Sequence, residues 1–319
     1  MTRVAAIDCG TNSIRLLIAD VAPDSRELGD VTRAMAVVRL GQGVDETGEF
    51  ATDALARTFR AADEFGAACR AADVERIRFV ATSATRDARN RQVFIEGIEE
   101  RLGVTPEVIS GDEEARLSFA GAVSVVAQGD FGALAPPHLV VDLGGGSTEL
   151  VLGVTEPESA YSMDVGCVRM TERHLRSDPP GAAEIEGAIA DIRAALDEAA
   201  LSVPLGSVRS VIGVAGSVTT VTAHALGLDS YRPDAIHGAV LGIDETLERS
   251  TELLHMTREE RAALPFMHPG RVDVIGAGAL VWRTVLERVR EEVRADGGEL
   301  ATVVTSEHDI LDGIALSIA

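Results

Sequence analysis

Lysine is absent from this chain of 319 residues, and all 29 of its basic residues are arginine. That absence excludes a phosphate-binding loop built on lysine and any chemistry that runs through a lysine Schiff base. Aromatic residues make up only 3% of the chain, so the core has to be assembled from Ala, Val, Leu and Ile. Cysteine is scarce too. Cys9, Cys69 and Cys167 lie far apart without metal-ligand spacing, the pattern of reduced thiols in a cytosolic protein. The seven histidines are scattered and form no zinc motif. No run of about 18 apolar residues occurs, and no charged segment with an apolar stretch precedes Val4. Neither a membrane span nor a signal peptide is therefore expected, and a cytoplasmic location is. Positive charge is in deficit. A formal net charge of −22 argues against a nucleic-acid-binding surface or a polybasic membrane patch. It also requires any anionic substrate to be held by local arginine, backbone amides and metal.

What is present is the composition of a globular protein, 46% hydrophobic and 25% charged, long enough for two packed domains. Two stretches are versions of each other. Ala6-Ile7-Asp8-Cys9-Gly10-Thr11-Asn12-Ser13-Ile14-Arg15-Leu16-Leu17 aligns with Val140-Val141-Asp142-Leu143-Gly144-Gly145-Gly146-Ser147-Thr148-Glu149-Leu150-Val151. Each reads as a strand, an Asp-x-Gly turn with small hydroxyl residues, and a second strand. Glycine in such a turn lets the backbone reach positive φ and lets a ligand approach closely. Successive N–H groups there form an anion nest, and the neighbouring aspartate can hold a divalent metal against bound phosphates. Two such hairpins facing each other would clamp a chain of phosphates and its Mg²⁺.

Elsewhere, strands are expected at 4–8, 14–19, 31–40, 77–81, 108–109, 208–215 and 301–305. Helices are expected at 91–102, 110–126, 246–255, 258–264, 276–294 and 310–318, with amphipathic spacing also around Leu55 to Phe65 and Ile185 to Leu196. Gln128–Pro137, with Gly and two Pro, reads as a surface connection, and Gly213–Thr220 as a third small-residue turn. Strands and helices alternate in two halves that each open with a hairpin, which is an α/β protein with a cleft between similar halves. The densest basic stretch, Arg76, Arg78, Arg86, Arg89 and Arg91, reads either as a solvated face or as a substrate contact. Ser110 as N-cap puts Glu113 at N3 of a capping box, folded back on the Ser110 N–H, and leaves Glu114 free to face the cleft.

Six motifs carry a resemblance: Asp8-x-Gly-Thr-Asn-Ser, Thr82-x-x-x-Arg86, Ser110-Gly-Asp-Glu-Glu-Ala-Arg116, Asp142-x-Gly-Gly-Gly-Ser-Thr-Glu149, Gly213-x-Ala-Gly-Ser and His237-Gly238. In this order they resemble the exopolyphosphatase/guanosine pentaphosphate phosphatase family, over essentially the whole chain. The resemblance implies the actin-like ATPase fold, with two ribonuclease-H-like domains at 1–125 and 126–305 and the active site in the cleft between them. The C-terminal helix, about 306–319, is expected to pack back on the first domain, and the family resemblance suggests a homodimer. The chain departs from the family at Cys9, where an aliphatic residue is usual, at Ala215 in place of Gly, and at Ser217 in place of Thr. Asp309-Ile310-Leu311-Asp312-Gly313 also stands where Gly-Leu-Arg-Glu-Gly is usual, so a possible anion contact is lost.

The implied reaction is removal of the terminal phosphate of inorganic polyphosphate, of guanosine pentaphosphate, or of both. Glu114, the second of the paired glutamates, is the expected general base. Asp142 is the expected Mg²⁺ residue, with Asp8 and Glu149 assisting and Mn²⁺ as an alternative ion. Asn12, Ser13, Gly145, Gly146, Ser147 and Thr148 would supply phosphate donors. Arg86 matches the family's phosphate-contacting arginine, with Asn90 as a weaker companion. Gly216 and Ser217 fall where related ATPases hold a nucleoside, and His237 reads as a structural turn residue. A kinase or ATPase of the same superfamily and a non-catalytic polyphosphate or alarmone sensor remain open beside this reading.

Overall fold

The computed structural model describes residues 1–22, 28–128 and 134–318. Packing divides the chain into two units, Met1–Gly121 with Ile310–Ala319, and Ala122–Asp309. The division falls inside a helix, Gly111–Gln128. Of the connection expected at 128–137, residues 129–133 lie outside the described residues. No helix among the described residues is long and apolar enough to cross a membrane.

The first unit is built on β1 (Thr2–Cys9), β2 (Ser13–Val21), β3 (Leu28–Val37), β4 (Arg76–Ala81) and β5 (Glu107–Val108). Their order is β3-β2-β1-β4-β5. The first three are antiparallel, and β4 and β5 extend β1 in parallel. The central strands are buried on both faces, which is why they read as unbroken apolar runs. Side chains alternate across the sheet. Ala5, Ile7, Cys9, Ile14 and Leu16 pack beneath the helices Thr52–Ala71 and Arg91–Leu102. Val4, Ala6, Leu17 and Ala19 pack against Leu117 and the terminal helix Ile310–Ile318. Asp8 continues the second row, so the alternation alone puts it on the side covered by the helix that carries Glu114.

The terminal helix is fastened tightly. Asp312, fully buried, is ion-paired with Arg33 of β3, and Arg78 bonds the Ser317 hydroxyl at 2.7 Å. A Cβ on Gly313 would overlap the Leu117 carbonyl oxygen, so only glycine allows the two helices to come this close.

The second unit carries β6 (His138–Leu143), β7 (Thr148–Gly153), β8 (Pro157–Met163), β9 (Ser210–Val214), β10 (Val240–Gly242) and β11 (Thr302–Thr305). The order β10-β11-β9-β6-β7-β8 repeats that of the first sheet with one added edge strand. Its core is dominated by the helix Ile275–Ala295, with Trp282 fully buried, and by Ala182–Ala200. Both sheets thus have the ribonuclease-H-like arrangement. β8 and β10 escape the sequence reading because an edge strand such as Pro-Glu-Ser-Ala-Tyr-Ser-Met needs no apolar run. The expected turn at Gly213–Thr220 is instead a strand-to-helix junction. β9 ends at Val214 and the helix Ala215–Ala225 begins at once, with Ala215 at φ 70.

Candidate active site

In the first unit, the functional side chains gather at the C-terminal ends of the parallel strands β1, β4 and β5, where ligand sites form in open α/β sheets. Asp8 stands at the end of β1, and the hairpin turn is closed by Gly10 N–H to the Ser13 carbonyl at 3.0 Å. After β4, Thr82 opens a short helix, Ser83–Asp87, whose Arg86 turns inward. Arg86 Nη1 donates to the Ile109 carbonyl at 3.1 Å and to Glu114 Oε2 at 2.6 Å. Nε and Nη2 of Arg86 make no hydrogen bond among the described residues. Glu114 is 8% exposed. Burial pushes its carboxyl above the usual range. The Arg86 charge and hydrogen bond pull the other way, and the nearby Asp8 charge adds to the rise. A buried carboxylate held by a cation and tuned upward is the ordinary form of a general base.

The neighbouring glutamate is occupied differently. The Ser110 hydroxyl accepts the Glu113 N–H at 3.2 Å, so half of the expected capping box forms. The Glu113 carboxylate does not turn back on Ser110; it meets Arg78 at 2.7 Å. Arg78 also holds Glu107, Arg76 bonds the Ile318 carbonyl, and Arg89 bonds the Thr47 carbonyl. Of the basic stretch, Arg86 is thus the member that meets Glu114.

In the second unit the matched hairpin is closed in the same way, Gly144 N–H to the Ser147 carbonyl at 3.0 Å. Its turn is braced from behind. Cys167 N–H donates to the Gly144 carbonyl at 3.0 Å, Val168 N–H to Gly145 at 2.8 Å, and Arg169 Nε to Gly146 at 2.8 Å. A Cβ on Gly166 would overlap the Gly145 carbonyl, so this bracing also requires glycine. The carbonyls of Gly144, Gly145 and Gly146 are thus all engaged by the segment 167–169. Asp142 and Glu149 are direct cross-strand partners, 6% and 1% exposed, and Ser162 Oγ donates to Glu149 Oε1 at 2.7 Å. Asp142 and Glu149 present hard carboxylate oxygens on one face of the sheet, a donor type that fits a hard divalent ion. No group of three or more His, Cys, Asp and Glu that could hold a metal occurs among the described residues, so an ion here would complete its shell with phosphate or water.

Several expected ligand residues are engaged with the protein itself. Asn90 Oδ1 accepts Phe50 N–H at 2.8 Å and its Nδ2 donates to the Phe50 carbonyl at 3.1 Å, so this amide braces the backbone rather than a substrate. Thr148, fully buried, donates its hydroxyl to the Val165 carbonyl at 2.6 Å. Gly216 is covered by the Arg271 guanidinium, which a Cβ there would strike. Arg271 also lies over the Tyr231 ring, 5.9 Å from its centroid. Ser217 is buried, 6% exposed. His237 is structural, its Nδ1 accepting Glu307 N–H at 3.2 Å. Asn12 keeps open capacity: its Oδ1 is buried without a hydrogen-bond partner. Ser13 and Ser147 contribute their carbonyls to the two turn closures, and the carbonyls of Gly145 and Gly146 accept from the segment 168–169; none of the hairpin-turn glycines Gly10 and Gly144–Gly146 adopts the positive φ expected of them. Residues that the sequence reading passed over are Arg15, Gly166 and Arg169. The one available signal was for Arg15, seven residues after Asp8, where the second hairpin has Glu149.

These sheets and their matched Asp-Gly hairpins define a two-unit α/β phosphatase. Residues 17–302 match the model of the Ppx/GppA phosphatase family, and the chain belongs to that family. It is 49% identical to Exopolyphosphatase 2 of Mycobacterium tuberculosis, over 100% of this chain and 99% of the relative. Among solved structures, an exopolyphosphatase-like protein is 50% identical with a TM-score of 0.96, over 100% of this chain and 98% of the other. The Ppx/GppA enzyme of Aquifex aeolicus is 28% identical with a TM-score of 0.77, over 99% of both chains.

Proposed function

We propose that this protein is a phosphoanhydride hydrolase that releases the terminal phosphate of inorganic polyphosphate. Glu114 takes a proton from a water molecule, whose oxygen bonds to the terminal phosphorus. The bridging P–O bond breaks, and its electron pair leaves with the shortened chain. One observation carries this reading: a buried carboxylate, raised by burial and held at 2.6 Å by Arg86, on the side of the sheet that Asp8 faces. Nε and Nη2 of Arg86 supply donors for phosphate oxygens. The amide of Asn12 and the N–H groups of the Gly144–Ser147 turn supply more. Asp142 and Glu149 would hold Mg²⁺ or Mn²⁺, which when bound neutralises charge on the phosphoryl oxygens. The names of the relatives above point to the same substrate.

Guanosine pentaphosphate is the second substrate in this reading. Arg271 over Gly216 favours the inorganic chain, because a base approaching that junction would have to displace the guanidinium. The deciding experiment measures phosphate release side by side on polyphosphates of several lengths, guanosine pentaphosphate and ATP, with Mg²⁺. Release from guanosine pentaphosphate alone would reverse the order, and turnover of ATP with transfer to an acceptor would replace hydrolysis by a kinase reaction.

A further inference from the structure

A cavity of about 140 Å³ in the second unit is lined by Arg176, Asp178, Arg258, Arg261, Asp273 and Gly276, none of them a residue of the candidate active site. It far exceeds the about 10–15 Å³ that one water needs and falls below the about 300–1,000 Å³ of sites for drug-sized ligands, so it suits a small ion. Three guanidiniums meet two carboxylates there, a local excess of positive charge in a chain whose net charge is −22. Both carboxylates are engaged. Asp273 Oδ1 accepts Arg258 Nε at 2.7 Å, and Asp178 Oδ1 accepts the Arg258 N–H and Arg261 Nη2, both at 2.8 Å. Arg261 is 7% exposed, yet its Nη1 makes no hydrogen bond among the described residues. The exposed Arg176 guanidinium makes none either, its backbone N–H alone bonding Glu184. A Cβ on Gly276 would stand 2.9 Å from Arg261 Nη1, so the guanidinium lies against the first turn of the helix Ile275–Ala295. No side chain caps that helix, and its first backward bond is Gly278 N–H to the Val274 carbonyl at 3.0 Å. The N–H groups before it, those of Gly276 and Ala277 on the cavity wall among them, have no acceptor within the helix. A buried cation set against the positive end of a 21-residue helix is unfavourable, and an anion beside both reverses the sign.

We propose that this cavity is a second anion site, taking one oxyanion of orthophosphate size, either free or as the end group of a phosphate chain. Arg261 Nη1, the Arg176 guanidinium and the N–H groups of Gly276 and Ala277 supply the donors, planar forks and backbone amides being the groups that suit phosphate oxygens. The hydrolysis proposed above releases that ion. Binding here requires neither turnover nor a metal, so it stands apart from the roles of Glu114 and Asp142.

The test titrates inorganic phosphate into the full chain carrying Arg86→Gln, by calorimetry, in chelator and without substrate. Arg86→Gln removes the arginine donor of the candidate active site, so the binding that remains reports the cavity. One phosphate binds per chain. Adding Arg176→Glu, an exposed side chain with no bond to lose, weakens it by about 10-fold or more, the scale of a lost charge-assisted hydrogen bond, and so does adding Arg261→Gln. Circular dichroism accompanies Arg261→Gln, which also gives up the bond to Asp178; if that variant unfolds, Arg176→Glu decides alone. Tripolyphosphate then distinguishes the two sources. Displacement of bound phosphate assigns the cavity to a chain end, and lack of displacement assigns it to the free ion. Phosphate binding that Arg176→Glu leaves unchanged would overturn the proposal, as would absence of phosphate binding at millimolar concentration. Failure of the hydrolase reading would show separately, as absence of phosphate release by the wild type.

Discussion

Replacing Glu114 by glutamine tests the catalytic reading most directly. The change keeps the side chain's size and lets its amide oxygen still accept from Arg86, so the half-site should remain folded. It removes the atom that receives a proton. Loss of a general base costs about 10²–10⁴ in kcat, equivalent to about 3–5 kcal/mol of barrier. Substrate affinity should hold or improve, because a buried carboxylate beside a polyanion repels it. Glu113→Gln is the matched control. Its carboxylate is half exposed and meets Arg78, which also keeps Glu107. Such a pair contributes about 0–1 kcal/mol to stability, and turnover should stay near normal. The assay is phosphate release under saturating and limiting polyphosphate, with binding measured separately by calorimetry. The pH profile adds a signature. Because burial raises the Glu114 carboxyl, kcat/KM of the wild type should fall as pH drops through a value above the ordinary carboxylate range, where the base becomes protonated. That acid limb should vanish in Glu114→Gln. A dead Glu113→Gln beside an active Glu114→Gln would refute the assignment.

Activity should vanish in excess chelator and return with Mg²⁺ or Mn²⁺, and Asp142→Asn should raise the metal concentration needed for half-maximal rate; full activity in chelator would remove metal from the reaction. Ala215→Gly should stabilise the protein in urea denaturation by about 0.5–1 kcal/mol, since relief of the left-handed conformation outweighs the extra freedom glycine gains in the unfolded chain. Gly313→Ala should destabilise by about 1–3 kcal/mol through overpacking on Leu117, and should lower kcat more than it alters KM because it shifts the helix that carries Glu114. With a net charge of −22, short phosphate chains should show the higher kcat/KM at low salt, scored per chain end. The gap should close as added salt shortens the Debye length to about 8 Å at physiological strength.

The legible parts of the fold were those whose burial is two-sided or strongly periodic. The runs at Val4–Asp8 and Val140–Leu143 lie at sheet centres, so nothing polar interrupts them, and the terminal helix at 310–318 shows its apolar stripe plainly. β8 and the helix Cys167–Arg173 were not legible, because each depends on tertiary support: one on edge pairing with β7, the other on the carbonyls of the Gly144–Gly146 turn. The junction at Ala215 misled for a related reason. Small residues in a row read as a turn, but Ser217, Val218 and Thr219 are buried in a helix that packs on its neighbours.

Legibility of the candidate site followed a different rule. A motif tells which residue types gather, but not which of their atoms remain open for a ligand. Asn90 and Thr148 have the right chemistry for phosphate, yet Phe50 and Val165 take up their polar atoms. Arg86 differs from them in keeping open donors, because its two bonds to the protein use Nη1 alone. The repeat between the hairpins carried the most information, and it was only half read: alignment of Asp8 with Asp142 implies equal roles, whereas alignment of Arg15 with Glu149 reverses the charge that each aspartate faces. Duplication therefore preserved the backbone device, a glycine turn closed by one hydrogen bond, while the opposing side chain was free to diverge. An arginine stands opposite Asp8 and a glutamate opposite Asp142, so two turns of the same backbone design place opposite charges beside their aspartates, a difference that the shared Asp-x-Gly motif does not encode.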